Sequence, residues 1–318
     1  MGPHVIVVLN YYGRDDTLPC VASIVDGSPE ATVLIVDNGS FDGTLEAVRQ
    51  RWPQVSVDQS PDNLGFAGGM NRGIDWALER GAATITVLNN DTVVPPGVLA
   101  SLADTAAAGV AVSPEVRYAA EGRVWFGGGV VDVETGLARH LSEPEIARRF
   151  PKDSLRSVES LAGCCLTASA AVWRHVGGFD ERYFLVFEDA DWSMRARARG
   201  VDLVVDPRVH LEHAVSASFT GHRAVLGLYY YARNGLLFGG RWRRHTGCGD
   251  AFTAARFLRR HVVPEVTGAW RRGDRRGAAD RQAVLGVALA DHAAGRYGRA
   301  PDWLERQVAR RPRASMRR

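Results

Sequence analysis

The sequence predicts an α/β protein with a Rossmann-like, mostly parallel central sheet and flanking helices. Short β-branched runs, each ending in polar or glycine residues, alternate with stretches of helical periodicity. The runs are VIVVLNYY (5–12), ATVLIVDNG (31–39), VSVDQS (55–60) and ATITVLNND (83–91), and the helical stretches cover roughly 15–27, 42–52 and 66–80. Such alternation implies a doubly wound sheet with right-handed crossovers.

The second half of the chain continues with further strands and helices. VAVSPEV (110–116) and VDLVVDP (201–207) predict strands, and WFGGGVVDVETG (125–136) predicts a hairpin. Between them, 140–158 is charged and carries two prolines, which favours a mobile loop near the site. Residues 160–200 predict a strand and two helices, the first ended by Gly177 and Gly178 and the second by Gly200. From about residue 222 the pattern is mostly helical.

Composition is that of an ordinary globular protein of one large domain, or of one domain with an appendage. The 318 residues are 46% hydrophobic and 24% charged. No apolar run reaches the length of about 20 residues that spans a bilayer, and no cleavable leader is visible, so a cytoplasmic location is expected. The four cysteines have neither disulfide density nor zinc-site spacing, which predicts structural roles.

Charge is distributed unevenly along the chain. Residues 241–318 contain 19 arginines and 7 acids, although the whole chain has a net charge of only +3. A basic C-terminal part is typical of a surface that meets something anionic, and plain solvation is the alternative. In particular, arginines flank Trp242, Phe252 and Phe257, which suggests a helix lying on an anionic membrane surface. The arginines are Arg241, Arg243, Arg244, Arg256, Arg259 and Arg260.

Polar residues at the ends of the first strands predict the ligand site. Ligands of open α/β sheets bind at the carboxyl ends of the strands, and Asn10, Asp37 and Asp91 fall there. Asp37 can accept hydrogen bonds from ribose hydroxyls or a base N–H, whereas helix capping suits Asp42 better. NLGFAGGMNRGI (63–74) does not turn out of the first strand as a dinucleotide fingerprint would. Its glycines more plausibly allow backbone to approach a phosphate or sugar, with Asn71 and Arg72 as donors.

Three acidic or histidine-containing segments predict metal and acid–base chemistry. In VLNNDTVVPPG (87–97), Asp91 is the residue able to hold a divalent cation together with substrate phosphate oxygens, although NND is also a common turn former. Glu188, Asp189 and Asp191 begin a predicted helix, where acids stabilise the helix dipole and where mutual repulsion suits a general base. His210 and His213 follow a strand as candidate metal ligands.

Taken together, these segments resemble the inverting nucleotide-sugar glycosyltransferases of family two, which have the GT-A fold, and most closely the rhamnosyltransferase-like branch. The resemblance covers about residues 4–235 and rests on segments in family order. These are VLNYYGRDDTLPC, LIVDNGSFDGT, NLGFAGGMNRGI, VLNNDTVVPPG, LAGCCLTASAAVWRHVGGFDERYFLVFEDADWSMRARARG and HLEHAVSASF. It implies a catalytic domain over 1–235, with a nucleotide-sugar half to about 110 and an acceptor half after it, and a helical, arginine-rich extension over 236–318.

The resemblance also implies residue roles. Asp91 would be the metal-binding last residue of the family's DxD triplet, and His213 a further ligand for Mg²⁺ or Mn²⁺. Asp189 would be the catalytic base, supported by Glu188. Asn89 stands where many members have aspartate, which weakens metal binding without nucleotide. The nucleotide-sugar site is expected to comprise Asn10, Tyr11, Asp37, Asn63, Gly65, Gly68, Gly69, Arg72, Asn89, Asn90 and Asp91.

The expected activity is inverting transfer of a sugar from a nucleoside diphosphate to an acceptor hydroxyl. dTDP-L-rhamnose is the first donor expected from the resemblance, with UDP-sugars open. Lipid-linked glycans, cell-wall polymers and small natural products are all candidate acceptors, and the basic extension could serve membrane contact or a homodimer. The rival is a nucleotide-sugar-binding protein without turnover, in which Asn89 marks lost metal chemistry. No nucleic-acid partner is expected, because the chain shows no recognised motif for one.

Overall fold

The computed structural model describes residues 2–132, 134–214, 222–246 and 251–309. The strands are β1 (His4–Asn10), β2 (Thr32–Asp37), β3 (Ser56–Gln59), β4 (Thr84–Asn89), β5 (Thr92–Val93), β6 (Ala111–Tyr118), β7 (Val124–Phe126), β8 (Gly129–Val131), β9 (Ala138–His140), β10 (Arg156–Ser157), β11 (Cys165–Ser169) and β12 (Leu203–His213). The helices are α1 (Arg14–Gly27), α2 (Thr44–Arg51), α3 (Gly65–Glu79), α4 (Val98–Ala106), α5 (Glu143–Arg149), α6 (Ala170–Val176), α7 (Glu188–Ala198), α8 (His222–Thr246), α9 (Ala251–Phe257), α10 (Val263–Arg271), α11 (Arg275–Ala293) and α12 (Asp302–Ala309), with a π turn at Leu258–Val262.

Ten of the strands form one mixed sheet. Its main order is β10-β12-β6-β11-β4-β1-β2-β3, with β5 paired to β12 and β7 to β6. The pairs β4–β1, β1–β2, β2–β3 and β6–β12 are parallel, whereas β11 runs antiparallel between β4 and β6. The predicted mostly parallel sheet with flanking helices is therefore confirmed.

The sheet core is apolar on both faces, which is why its strands read as continuous β-branched runs. Ile6, Val7 and Val8 of β1 are fully buried. Helix α3 lies close to this strand because it carries glycines on the facing side: a Cβ at Gly69 would be 2.5 Å from Leu9, and one at Gly73 would overlap Val7. Small residues here permit the close helix–strand packing that doubly wound sheets require.

Two predictions for the middle of the chain are wrong in detail. The glycine-rich segment 125–136 is not a self-contained hairpin, because β7 joins β6 in the main sheet while β8 pairs with β9 in a second, two-stranded sheet. The expected loop 140–158 contains α5 and β10. Ser142 and Glu145 form a capping box that starts α5, and the proline in its first turn is compatible with a helix N-terminus.

The described residues divide into two compact units. Unit 1 comprises 1–130, 139–181 and 188–215, and unit 2 comprises 131–138, 182–187 and 216–318. Unit 1 contains the main sheet, and unit 2 contains α8 to α12. The boundary expected at residue 235 falls within α8, which continues as one helix to Thr246.

The expected membrane-facing aromatic residues of the C-terminal part are not surface residues. Trp242 and Phe257 are both buried, and Phe257 packs against Tyr231. Phe252 lies among the residues whose side chains are not described. The apolar side of this segment is thus used for packing within unit 2, which corrects the expectation of an apolar membrane face at these two positions. No helix in the described part of the chain combines the length and apolarity needed to cross a bilayer.

Candidate active site

The ends of three neighbouring strands bring the predicted polar residues to one edge of the sheet. In the parallel register, Asn10 lies opposite Asp37, and Leu9 lies opposite Asn89. Asp91 follows two residues after the end of β4. Every residue predicted for the site belongs to unit 1. The expectation that Asn10, Asp37 and Asp91 fall at carboxyl strand ends agrees with this register.

Asp37 is buried, and its carboxylate accepts hydrogen bonds from several protein donors. These come from the Asn10 amide at 2.7 Å, the Ser40 and Phe41 backbone amides at 3.2 and 3.1 Å, the Ser40 hydroxyl and the Gln59 amide. Burial acts to raise the pKa of Asp37, but these hydrogen bonds outweigh it and hold the pKa below its ordinary value. The carboxylate is therefore ionised at neutral pH and fixes the turn that follows β2.

Asn10 is also fully buried and acts within this network. Its side-chain oxygen accepts from Thr17 Oγ1 at 2.9 Å and from the Gly13 amide at 3.2 Å. Asn10 has no exposed surface, and its amide orients the Asp37 carboxylate. Its part in nucleotide-sugar binding stays a prediction. Tyr11, by contrast, is 41% exposed and available to a ligand.

Asn90 points toward the start of α1. Its amide donates to Thr17 Oγ1 at 2.8 Å and lies 3.4 Å from the Gly13 carbonyl. A Cβ at Gly13 would collide with that amide. Gly13, which sequence reasoning did not single out, is therefore required for this approach of α1 to the end of β4.

The glycines at the start of α3 have mainly structural surroundings. Gly65 has a left-handed φ of 74°, and its amide donates to Asn63 Oδ1 at 2.9 Å. Gly69 faces Leu9, and a Cβ at Gly68 would press on Leu64 of its own chain segment. The predicted close approach to a phosphate is not the evident reason for Gly69, because packing of α3 on β1 already demands it.

Arg72 is engaged by a neighbouring strand. It makes a bidentate ion pair with Asp58 of β3, including Nη2 to Oδ1 at 2.8 Å, and this contact raises the pKa of Arg72. A role in donor binding would have to compete with that pair. Asn71, likewise, donates to the Phe179 carbonyl at 2.9 Å and accepts from its amide at 2.7 Å.

Asp91 and His213 meet across 122 residues of sequence. Strand β5 pairs with the end of β12, with Thr92 opposite His213, and this pairing places His213 Nε2 2.9 Å from Asp91 Oδ1. Both side chains are less than a tenth exposed. The amide of Asn89 lies 3.4 Å from the same nitrogen, and the Trp125 ring packs edge-to-face on the imidazole at 4.9 Å.

This pair fits a divalent cation as two neighbouring ligands. Octahedral Mg²⁺ with bonds of about 2.1 Å has adjacent ligand atoms about 3.0 Å apart, close to the observed separation. Within the described part of the chain, His213 Nδ1 is buried without a hydrogen-bond partner, so the ring is oriented through Nε2 and its contact with Asp91. Among the described residues no group of three or more His, Cys, Asp or Glu side chains is placed to hold a metal.

The electrostatics around Asp91 are negative. Burial and the charge of Asp91, with that of Asp15, raise the pKa of Asp16 at the start of α1. Burial raises the pKa of Cys20 to about 12, and burial also raises that of Cys164 and Cys165. These three cysteines are free and buried, as their predicted structural role requires; Cys248 lies outside the described residues.

Asp189 is half-buried at the start of α7. Its Oδ2 accepts from the Gly163 amide at 2.8 Å and its Oδ1 from the Ala190 amide at 2.7 Å. Burial raises its pKa above the ordinary value, although these amides and the neighbouring His140 act in the opposite direction. The carbonyl of Cys164, the residue after Gly163, accepts a hydrogen bond from the backbone amide of Asn89 at 2.9 Å. The loop before β11 thus touches both the predicted base and the strand that leads to Asp91.

His140 and Trp125 are site residues that sequence reasoning missed. His140 Nδ1 lies 3.1 Å from the Trp125 carbonyl, and their rings meet edge-to-face at 4.7 Å. The Trp125 and Phe126 rings desolvate the His140 imidazole and lower its pKa, although the residue as a whole is exposed. Trp125 therefore contacts both His213 and His140. No local sequence pattern indicates these contacts, because Trp125 lies in a segment predicted to form a hairpin.

Glu188 and Asp191 flank the predicted base differently. Glu188 is buried. Asp191 has no exposed surface and forms an ion pair with Arg195 at 2.9 Å, whose guanidinium also donates to the carbonyls of Val176 and Gly178. Asp191 is therefore a structural link between α7 and the end of α6. His210, the other candidate histidine, pairs in register with Glu115 of β6 and is not the histidine that meets Asp91.

Known proteins similar to this chain point to one family. The model described as "Glycosyl transferase family 2" matches residues 5–158. N-acetylglucosaminyl-diphospho-decaprenol L-rhamnosyltransferase of Mycobacterium tuberculosis is 31% identical over 204 residues, which are 57% of this chain and 66% of that protein. Polyprenol monophosphomannose synthase of Mycolicibacterium smegmatis is 28% identical over 124 residues, 37% of this chain and 47% of that protein.

A solved structure supports the fold. The crystal structure of GalNAc-T7 with UDP, GalNAc and Mn²⁺ superimposes with a TM-score of 0.56 at 14% identity, covering 84% of this chain and 58% of that one. Identity at this level speaks for the fold alone. The chain spans just under two thirds of the length of the rhamnosyltransferase that it matches. Residues 5–158 belong to glycosyl transferase family 2, in a chain that is similar to the rhamnosyltransferases and has the GT-A fold.

Proposed function

We propose that the protein is an inverting glycosyltransferase that moves a sugar from a nucleoside diphosphate to an acceptor hydroxyl. The observation that carries this proposal is the convergence of Asp91, His213 and Asp189 around one loop. Gly163 donates to Asp189, and the adjacent Cys164 accepts from Asn89, whose side chain lies against His213. The transfer needs side chains that can hold a cation, here Asp91 and His213, and a general base, here Asp189 with its raised pKa.

Asp189 serves as the general base. Its backbone hydrogen bonds hold the carboxylate in one orientation, and burial raises the pKa, which increases its affinity for the acceptor proton. Asp189 takes that proton as the acceptor oxygen attacks C1 of the donor sugar from the side opposite the diphosphate. Attack from that side inverts the anomeric configuration.

Asp91 and His213 would hold a Mg²⁺ or Mn²⁺ ion through Oδ1 and Nε2. When bound, such an ion neutralises charge on the departing diphosphate. The GalNAc-T7 structure contains Mn²⁺ together with UDP, in keeping with this role. Because the protein offers two such side chains, we expect cation and nucleotide to bind with positive coupling.

dTDP-L-rhamnose is the proposed donor and a lipid-linked glycan the first acceptor class to assay. Both follow from similarity to the rhamnosyltransferase that acts on N-acetylglucosaminyl-diphospho-decaprenol. UDP-sugars are the comparison donors, and Tyr11 is an exposed aromatic side chain at the strand edge that can stack on a base.

Release of nucleoside diphosphate tests this function. Purified protein with Mn²⁺ should release dTDP from dTDP-L-rhamnose faster than it releases UDP from UDP-sugars, and faster with acceptor than without. NMR of the product should show an anomeric configuration opposite to that of the donor. Asp189→Asn should lose about a hundred- to ten-thousandfold in turnover while nucleotide affinity changes little. Nucleotide binding without turnover of any donor would favour the non-catalytic binding protein instead.

A further inference from the structure

The backbone just before Glu188 is strained. Phe184, Val186 and Phe187 have φ angles of 60°, 70° and 76°, three of the six positive values found among described non-glycine residues. Left-handed angles are unfavourable for residues with a Cβ and most unusual for a β-branched one such as Val186. The Leu185 amide donates to the Tyr183 carbonyl at 2.6 Å, the bond of a γ-turn centred on Phe184. Such a conformation persists only where the surroundings enforce it.

Asn234 of α8 supplies that enforcement. Its Nδ2 lies 2.6, 2.8 and 3.1 Å from the carbonyl oxygens of Tyr183, Leu185 and Val186. The two amide hydrogens are therefore shared among three acceptors. Asn234 has no exposed surface, and all four residues belong to unit 2.

The orientation of this amide is fixed by a charged neighbour. Arg233 Nε donates to Asn234 Oδ1 at 3.0 Å. Arg233 is itself held by Tyr229 Oη at 2.9 Å and by the Gly298 carbonyl at 2.7 Å. Rotating the amide by 180° would set its oxygen against three carbonyls and its NH₂ group against a guanidinium, so the network permits one orientation.

Aromatic packing holds the side chains of the same segment. The Phe184 ring stacks on Tyr230 at 5.4 Å with an interplanar angle of 13°, and Phe187 stacks on Phe238 at 5.7 Å. These contacts anchor the rings but satisfy no backbone carbonyl. The carbonyls of Tyr183, Leu185 and Val186 accept from Asn234 instead.

We propose that Asn234 is a positioning residue for the catalytic carboxylate. By binding the carbonyls of Tyr183, Leu185 and Val186, it fixes the backbone from which α7 starts with Glu188 and Asp189. The proposal rests on the proposed function, since the value of a fixed entry to α7 lies in the role of Asp189 as base. Release of the segment would displace Asp189 while leaving the nucleotide-binding strand ends unchanged.

The test combines hydrogen exchange with kinetics on the full-length protein. Asn234→Asp keeps the acceptor for Arg233 and nearly the same shape but removes both N–H donors. Asn234→Leu removes the donors without adding charge, in case the aspartate prevents folding. Tyr229→Phe is the matched control, because it deletes a buried hydroxyl of the same helix that bonds Arg233 and Asp291 and makes none of these carbonyl contacts. Exchange is followed by mass spectrometry in peptides covering 182–190.

We expect the amides of 182–190 to exchange at least about tenfold faster in the Asn234 variants than in wild type or Tyr229→Phe. Turnover should fall on the order of a hundredfold, the cost of misplacing a reacting group by about 1 Å, with dTDP affinity unchanged. Unchanged exchange in both Asn234 variants, or an equal effect of Tyr229→Phe, overturns the proposal. A wild-type protein without turnover contradicts the proposed function instead, and the exchange result then decides alone whether Asn234 holds the segment.

Discussion

At the scale of single residues, the site depends on how each polar side chain is already engaged. Asn10 and Asp37 stand side by side at the strand edge, yet their atoms are used to build a turn, whereas Asp91 and His213 face each other as ligand atoms would. Asn89 and Asn90 are neighbours with opposite surroundings: the first reaches His213, and the second reaches Thr17. Residue identity alone could not separate these roles.

The Asn89–Asn90 pair allows a matched charge experiment. Asn89→Asp places a second carboxylate beside His213 Nε2, so we expect Mn²⁺ affinity without nucleotide to rise at least about tenfold. Asn90→Asp makes the same charge change one residue away, where the side chain points to α1, and should leave the affinity nearly unchanged. Isothermal titration calorimetry with Mn²⁺ distinguishes them. An equal gain in both variants would mean that only the general negative potential had changed.

The raised pKa of Asp189 gives a pH dependence. The base is active when deprotonated, and burial raises its pKa above the ordinary 3.8. Turnover should therefore increase with pH through a midpoint above that value and then level off. The remaining activity of Asp189→Asn should lack this acidic limb. Initial rates in buffers of constant ionic strength measure this rise of turnover with pH. The same rise in the variant would mean that the titrating base is another residue.

At the scale of elements, a few contacts between helices and strands set the position of the site. The pairing of β5 with β12 brings His213 to Asp91, and the loop before β11 bridges α7 and β4. Asp191 lies two residues beyond the predicted base, on another face of α7. Its buried ion pair with Arg195 ties α7 to the end of α6.

Asp191→Asn should therefore lower the free energy of unfolding by about 3–5 kcal/mol, the usual cost of breaking a buried ion pair. Arg195 would be left buried with only carbonyl partners. Glu79→Gln is the control, since its pair with Arg80 is exposed and spans 3.8 Å, and it should change stability by less than about 1 kcal/mol. Urea unfolding followed by circular dichroism measures both. Equal, small effects would show that the ion pair of Asp191 and Arg195 makes no net contribution to the free energy of unfolding.

Two helical glycines should respond oppositely to alanine. A Cβ at Gly73 would overlap Val7 of β1, so Gly73→Ala should destabilise by about 1–3 kcal/mol. A Cβ at Gly286 of α11 meets nothing within 4 Å, so Gly286→Ala should stabilise its helix by about 0.5–1 kcal/mol. Thermal unfolding of both variants provides the comparison. Destabilisation by Gly286→Ala would imply a neighbour not evident in the fold.

At the scale of the whole molecule, the ligand site is assembled from distant parts of the chain within unit 1. Its segments follow β1, β2 and β4, precede β11 and end β12. A ligand that joins them should protect all of them together. The arginine-rich helices of unit 2 carry no residue predicted to bind the donor.

With dTDP and Mn²⁺, hydrogen exchange should slow in 9–16, 37–41, 89–92, 161–164 and 211–214, and should not change in 263–293. Asp91→Asn should remove the part of this protection that depends on Mn²⁺ and keep the part that depends on nucleotide. Exchange mass spectrometry at matched ligand saturation tests the pattern. Protection centred on unit 2 would contradict a nucleotide site at these strand ends.

The sequence by itself determined the mostly parallel sheet with flanking helices and the family resemblance, because strand and helix patterns and the strand-end motifs are local. It also placed Asn10, Asp37 and Asp91 at one edge, since parallel strands share an edge. Tertiary structure alone decided that His213, and not His210, meets Asp91, and that α5 replaces a loop. It also decided that Trp125 contacts His140 and His213, and that Asn234 binds the carbonyls before α7. These depend on the pairing of residues that are distant in sequence and on which atoms remain unsatisfied after folding, and no local pattern encodes either.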